Sequence, residues 1–206
     1  MSKYSAKVGR NKELFANIAK TIIPKFASEK PNQNCRLFLS VSMMDIDNMA
    51  EILPQISQSK DIRLVLVFDE QEVNENSSQL ELLNASLKQF RKLGYEIALL
   101  LQDKNLLLDP SVYTNFDYFV AGASMMGEIK KNNRVRLSIH TLIEQLMKYN
   151  QPIIATDLEG WPAVELIIKS GISFVSSEAI SPSNDMLLPV EKKRVEKLHA
   201  MYENFR

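Results

Sequence analysis

The chain has 206 residues, 45% hydrophobic and 24% charged, which is ordinary globular composition and excludes disorder, collagen and coiled coil. Its 25 basic and 25 acidic side chains cancel, so no global field draws it toward nucleic acid or anionic lipid. That length supports one sizeable core, and a single domain is expected.

Residues 1–10 carry no pattern and read as a loose lead-in. From Asn11 to Ala27, Leu14, Phe15, Ile18, Ala19, Ile22 and Ile23 recur at helical spacing, with Pro24 expected to kink or end the helix. Cys35, the only cysteine, stands where a strand begins and is expected to be a buried or half-buried thiol. Arg36 to Ser42 alternates as a strand does; Asp45 to Ser59 reads as a helix; Ile62 to Phe68 is a nearly continuous apolar strand. Ser77 to Leu93 places Leu80, Leu83, Leu87 and Phe90 on one helical face, and Gly94 is its natural stop.

Strands follow at Tyr95 to Leu101 and Asp117 to Ala121, then a helical region between Met126 and Tyr149, the longest in the pattern. Its apolar face is Val135, Ile139, Leu142, Ile143, Leu146 and Met147. Pro152 to Ala155 and Ile172 to Val175 are β-branched runs on either side of a helical segment that closes at Ser170-Gly171, the form of a βαβ unit. A charged helix at 189–205 ends the chain, with Val195, Leu198 and Tyr202 in register. Six strands alternating with helices across 36–182 predict a parallel α/β architecture, as an open doubly wound sheet or as a barrel. No G-x-G-x-x-G follows the first strand and no G-x-x-x-x-G-K occurs anywhere, so the common nucleotide-binding motifs of open sheets are missing.

No apolar run approaches the roughly 18 residues needed to cross a membrane, and MSKYSAKVGRNKE leads into no apolar signal core, so a cytoplasmic location is expected. His140 and His199 lack a second ligand at metal-binding spacing and read as surface histidines. Asp157 and Glu159 beside Trp161 form an acidic loop. Lys192, Lys193, Arg194 and Lys197, interleaved with Glu191 and Glu196, read as a solvated helix face.

In IIATDLEGWPAVELIIKSGISFVSSEAISP, the order of Ala155-Thr156-Asp157-Leu158-Glu159, Gly171-Ile172-Ser173, Ser176-Ser177-Glu178 and Pro182 resembles the last part of the EAL domain. There a strand ending in Ala-Glu-Gly-Val-Glu precedes a helix, a Gly-Ile/Cys-Asp strand and a closing Gln-Gly-Tyr. RLFLSVS, LVLVFDE, GYEIALLLQD and FDYFVAG are similar, in order, to that family's strands bearing Asn, Glu-x-x-Glu, Asp-Asp and Lys-x-Asp. The resemblance implies a TIM-barrel-like EAL fold, incomplete or modified, lacking the strands that carry the signature Glu-Ala-Leu. It also implies an ancestry among bacterial phosphodiesterases that cleave cyclic dimeric GMP.

Such a reaction needs carboxylates and an amide gathered at the strand ends around one or two divalent metals. By this resemblance the Asn position is Ser40, the paired Glu positions are Val67 and Glu70, and the Asp-Asp pair is Leu100 and Leu101. The Lys and Asp positions are Val120 and Gly122, the Glu positions around the next loop are Thr156 and Glu159, and the Gln position is Ser176. Only Glu70 and Glu159 stay acidic, and both are expected to cap helices or pair at the surface. No catalytic residue, no metal ligand and no Mg²⁺ or Mn²⁺ binding are expected.

The expected role is a catalytically inactive, regulatory protein-interaction module in cyclic dimeric GMP signalling. The alternatives are a receptor that binds the dinucleotide without cleaving it, and a hydrolase using Asp69, Glu70, Asp157 and Glu159. Six strands of an eight-stranded barrel leave open edges, so the 11–27 helix, a second copy or a partner protein is expected to cover them.

Overall fold

The computed structural model describes residues 11–29, 35–43, 63–76, 80–102, 108–126, 133–172, 174–184 and 188–204. The helix expected at 45–59 lies outside them. The chain forms two compact units, Met1–Ala98 and Leu99–Arg206.

In the first unit, helix α1 (Asn11–Ser28) runs through Pro24 without ending. An interior proline costs about 3 kcal/mol, but Ala19, Ile23 and Phe26 are buried on both sides of it, and burying Ile and Phe side chains returns about 1.5–3 kcal/mol each. The buried stripe is 19-23-26, so Ile18 and Ile22 fall on its exposed rim.

Strands β1 (Arg36–Val41) and β2 (Arg63–Asp69) pair in parallel, Arg36 opposite Arg63 through Val41 opposite Phe68. β1 alternates as a strand with one covered face: Leu39 and Val41 are buried, Phe38 and Ser40 exposed. β2 is buried on both faces from Leu64 to Phe68. Cys35, just ahead of β1, is exposed rather than buried, because it precedes the first paired residue of the strand.

A short helix, α2 (Glu70–Glu75), follows β2 directly. Asp69 is its N-cap, accepting the Gln71 N–H on Oδ1 at 2.8 Å. Helix α3 (Leu80–Lys92) buries Leu83, Leu87 and Phe90, as the spacing predicts. It stops at Gly94, whose φ of +88° lets Tyr95 N–H return to the Phe90 carbonyl at 3.1 Å. The Arg36 guanidinium grips both carboxylate oxygens of Glu96, at 2.7 and 3.3 Å.

The boundary between the units falls within strand β3 (Glu96–Leu101). In the second unit, Asp109 caps the one-turn helix α4 (Pro110–Tyr113), with Pro110 at its first position. Strand β4 (Tyr118–Ala121) then pairs in parallel with β5 (Ile153–Ala155), and β5 with β6 (Phe174–Val175). After the short helix α5 (Ala123–Met126), the helical region expected between Met126 and Tyr149 holds α6 (Asn133–Met147), residues 127–132 lying outside the described ones. Ile139, Leu142, Ile143 and Leu146 form its buried face, while Met147 lies at the edge, 41% exposed.

Tyr113, Phe119 and Tyr149 meet in a ring cluster with centroids 5.5–6.2 Å apart. Helix α7 (Gly160–Lys169) lies between β5 and β6 in the chain, burying Ala163, Val164, Ile167 and Ile168. It ends at Gly171, with φ of +89°. The last helix, α8 (Lys192–Asn204), departs from expectation: none of its residues is buried, and Val195 is 50% exposed. Apolar spacing marks the face that turns inward but not how far it sinks.

The six strands among the described residues follow one another in the order β1-β2-β3-β4-β5-β6. An open doubly wound sheet reverses direction at a switch point, whereas a sequential order is the winding of a (β/α) barrel.

Candidate functional site

In (β/α) folds chemistry sits at the C-terminal ends of the strands. In the first unit, Ser40 stands near the end of β1, exposed, with Val67 opposite it on β2. Val67 is buried. Glu70 is the first residue of α2 and only 5% exposed, so it is neither the cap, which is Asp69, nor a surface group. Sequence reasoning passed over Glu72, which accepts the Met43 N–H at 2.8 Å and ties the chain just past β1 to α2. The signal was its place in the first turn of a helix too short to show periodicity.

In the second unit, Leu101 is fully buried, and Leu100 beside it leans on Gly122. A Cβ on Gly122 would lie 3.0 Å from Leu100 Cδ1, so an added side chain there would press on that methyl group. The Gly122 N–H donates to the Leu101 carbonyl at 3.3 Å, which holds the two strand ends together. Val120 is buried, opposite Ile154 on β5. Gly122→Ala is therefore expected to cost about 1–3 kcal/mol through overpacking. In a Leu100→Ala background the added cost should largely vanish, measured as coupling in a double-mutant cycle of urea unfolding.

Beyond β5, the Thr156 N–H donates to the Ala121 carbonyl at 3.0 Å. The Thr156 hydroxyl lies 2.9 Å from Asp157 Oδ2 and 3.3 Å from the same carbonyl, and its single proton serves one acceptor at a time. Asp157 adopts φ of +58°, a left-handed conformation that aspartate tolerates. Glu159 occupies the N-cap position of α7 but makes no side-chain cap hydrogen bond, so of the two expected roles, capping or pairing at the surface, it does not fill the first. Its side chain is too long to fold back as Asp69 and Asp109 do.

Ser176, exposed, donates its N–H to the Ala155 carbonyl at 2.8 Å. Next to it, buried Ser177 donates its hydroxyl to the Leu158 carbonyl at 2.6 Å and accepts the Ala179 N–H at 3.1 Å. Ser177 thus joins the β5–α7 loop to the turn after β6. Glu178 accepts both the hydroxyl and the N–H of Ser183, hydrogen bonds that hold its carboxyl below the ordinary range.

Within each unit the structure brings together Ser40 with Val67, Leu100 with Gly122, and Thr156 with Ser176 around Ala155. Among the described residues, no group of three or more His, Cys, Asp or Glu side chains is placed to hold a metal ion. His140 and His199 lie at the surface, 3.5 and 3.3 Å from Glu144 and Glu203 one turn on. Among the described residues, no helix is long and apolar enough to cross a membrane.

No protein-family model and no curated protein matches the sequence. Solved structures do match. The EAL enzyme Bd1971, in its cAMP- and cyclic-di-GMP-bound form, is 14% identical with a TM-score of 0.64, covering 98% of this chain and 52% of that one. The EAL domain of Mycobacterium smegmatis DcpA is 15% identical with a TM-score of 0.67, covering 93% and 85%. Bacillus subtilis YkuI, a protein with an EAL domain in complex with c-di-GMP and calcium, is 15% identical with a TM-score of 0.69, covering 94% and 47%.

The fold is therefore EAL-like: six parallel strands alternating with helices, an incomplete TIM-barrel-like arrangement among the described residues. The chain spans about half the length of Bd1971, at 52%, and of YkuI, at 47%.

Proposed function

We propose that this chain is a catalytically inactive EAL-like domain acting in cyclic dimeric GMP signalling as a regulatory module that binds another protein or a second copy of itself. One observation carries the loss of chemistry. Leu100 packs on Gly122 where the family resemblance would place two metal-binding aspartates, with Leu101 and Val120 buried beside them in the same unit. Hard divalent cations need several converging oxygen ligands. The side chains at these positions are mostly hydrocarbon, with the hydroxyls of Ser40, Thr156 and Ser176 and only two carboxylates, Glu70 and Glu159, a set that does not fit Mg²⁺ or Mn²⁺.

The interaction half of the proposal is supported by exposed aromatic side chains on the first and last strands, Phe38 at 39% and Phe174 at 54%. A second reading, a non-hydrolysing receptor, draws on the solved EAL domains of FimX from Pseudomonas aeruginosa and Xanthomonas citri, both bound to the dinucleotide. Against it, the Lys, Asn and Gln positions are Val120, Ser40 and Ser176, which offer fewer and shorter polar contacts.

Calorimetric titration with cyclic dimeric GMP, run beside light scattering, separates these readings. The expected outcome is no heat of binding, and a mass above one chain, or a captured partner, that Phe174→Ser reduces. Micromolar binding transfers the assignment to the receptor. A monomer that captures nothing removes the interaction role.

A further inference from the structure

Helix α8 is 13 residues long, yet none of them is buried, so it lacks the packed apolar face that fastens the other long helices of its unit. Two polar contacts help to hold it. Lys197 Nζ stands 4.2 Å from the centroid of the Trp161 ring at the start of α7. One guanidinium nitrogen of Arg194 donates to the carbonyls of Ala179 and Ile180, each at 3.3 Å, while Nε reaches Glu191 at 3.2 Å.

The two anchor points are not independent of the strand ends. The 177–180 turn that Arg194 grips is bound through the Ser177 hydroxyl to Leu158, and Leu158 belongs to the loop that leads into Trp161. Both contacts of α8 therefore close on one short stretch, the β5–α7 loop that carries Thr156, Asp157 and Glu159.

We infer that α8 is a detachable strap: its docking on Trp161 and on the 177–180 turn sets the order of the β5–α7 loop, and its release loosens that loop while the strands stay folded. The contacts suit a reversible element. The cation–π pair lies at the surface, where such a pair shifts an equilibrium about two- to fivefold. The apolar residues of α8 are half-buried or exposed, so undocking uncovers little new hydrocarbon; Leu198, Met201 and Tyr202 are only partly covered, and partial burial raises the Tyr202 phenol above its ordinary pKa. The inference does not depend on whether the domain binds a protein or a nucleotide.

The chain's single tryptophan is the ring under Lys197, so its fluorescence reports docking directly. The experiment compares the full chain with Lys197→Gln and Lys197→Arg by hydrogen exchange and Trp161 emission. Lys197→Gln keeps a flexible polar side chain, one atom shorter, and removes the cation. It should change the emission and speed exchange about two- to fivefold in α8 and in 157–161 and 177–180, leaving β4, β5 and the urea midpoint unchanged. Lys197→Arg, which restores a cation over the ring, should return both readouts toward wild type. Exchange in α8 as slow as in β4 in the wild-type chain overturns the inference. So does a Lys197→Gln variant with unaltered emission and loop exchange, or an arginine variant that behaves as the glutamine one.

Discussion

Incubated with cyclic dimeric GMP and Mn²⁺ or Mg²⁺, the chain is expected to release no linear dinucleotide above a metal-only blank, while an EAL phosphodiesterase assayed in parallel consumes its substrate. Enzymes accelerate their reactions by about 10⁶-fold or more, and phosphate-ester hydrolysis is among the slowest uncatalysed processes, so a site without its charge-stabilising ions has no measurable residual rate. With Leu100 on Gly122, no single substitution there is expected to add activity. An aspartate at 122 would enter space occupied by a leucine methyl group and bury a charge against hydrocarbon, a step that costs stability before it adds a ligand. Turnover that rises with protein concentration and disappears in Glu159→Gln would establish a hydrolase with unusual ligands, drawn from Asp69, Glu70, Asp157 and Glu159.

The second large effect is on stability. Phe119→Ala should lower unfolding free energy by about 3–5 kcal/mol, the range for deleting a buried aromatic ring. Phe119 is fully buried, meets Tyr113 and Tyr149 edge to face at 5.9 and 6.2 Å, and stands opposite Ile153 on β5. The cavity would open between α4, α6 and the sheet, where rigid rings cannot collapse into it. Leu137→Ala, on the same helix as buried Ile139 but 68% exposed, should cost about 0.5 kcal/mol or less. A urea midpoint for Phe119→Ala within about 1 kcal/mol of wild type would mean that the ring cluster does not hold the second unit together.

Much of this architecture is legible in the chain because strand and helix signals alternate with clear punctuation. Gly94 and Gly171 end their helices at positive φ, and β2 is apolar enough to read as a doubly covered strand. What escapes is short or relational. Helix α2 spans six residues and buries only Glu70 and Val73, too few for a period, although Asp69 at its cap was a usable signal. Pro24 was given the power to end α1, and burial of its neighbours overrode it. For the site, residue types could be placed at strand ends from the sequence, but not the contact of Leu100 with Gly122, which depends on side-chain direction across neighbouring strands. Lys197 and Trp161 each stand out in sequence for their own neighbours; that they belong to each other is a fact of folding alone.

The unbroken strand order also bears on how the chain is made. Each strand's sheet neighbours are the strands just before and just after it in sequence, so no strand must wait for a distant one to be synthesised. Loop closures stay comparatively short, which favours fast pairing and lets the sheet grow vectorially as the chain leaves the ribosome. Every newly added βα unit finds its docking edge already formed, and that same edge stays open to other chains until the next unit arrives.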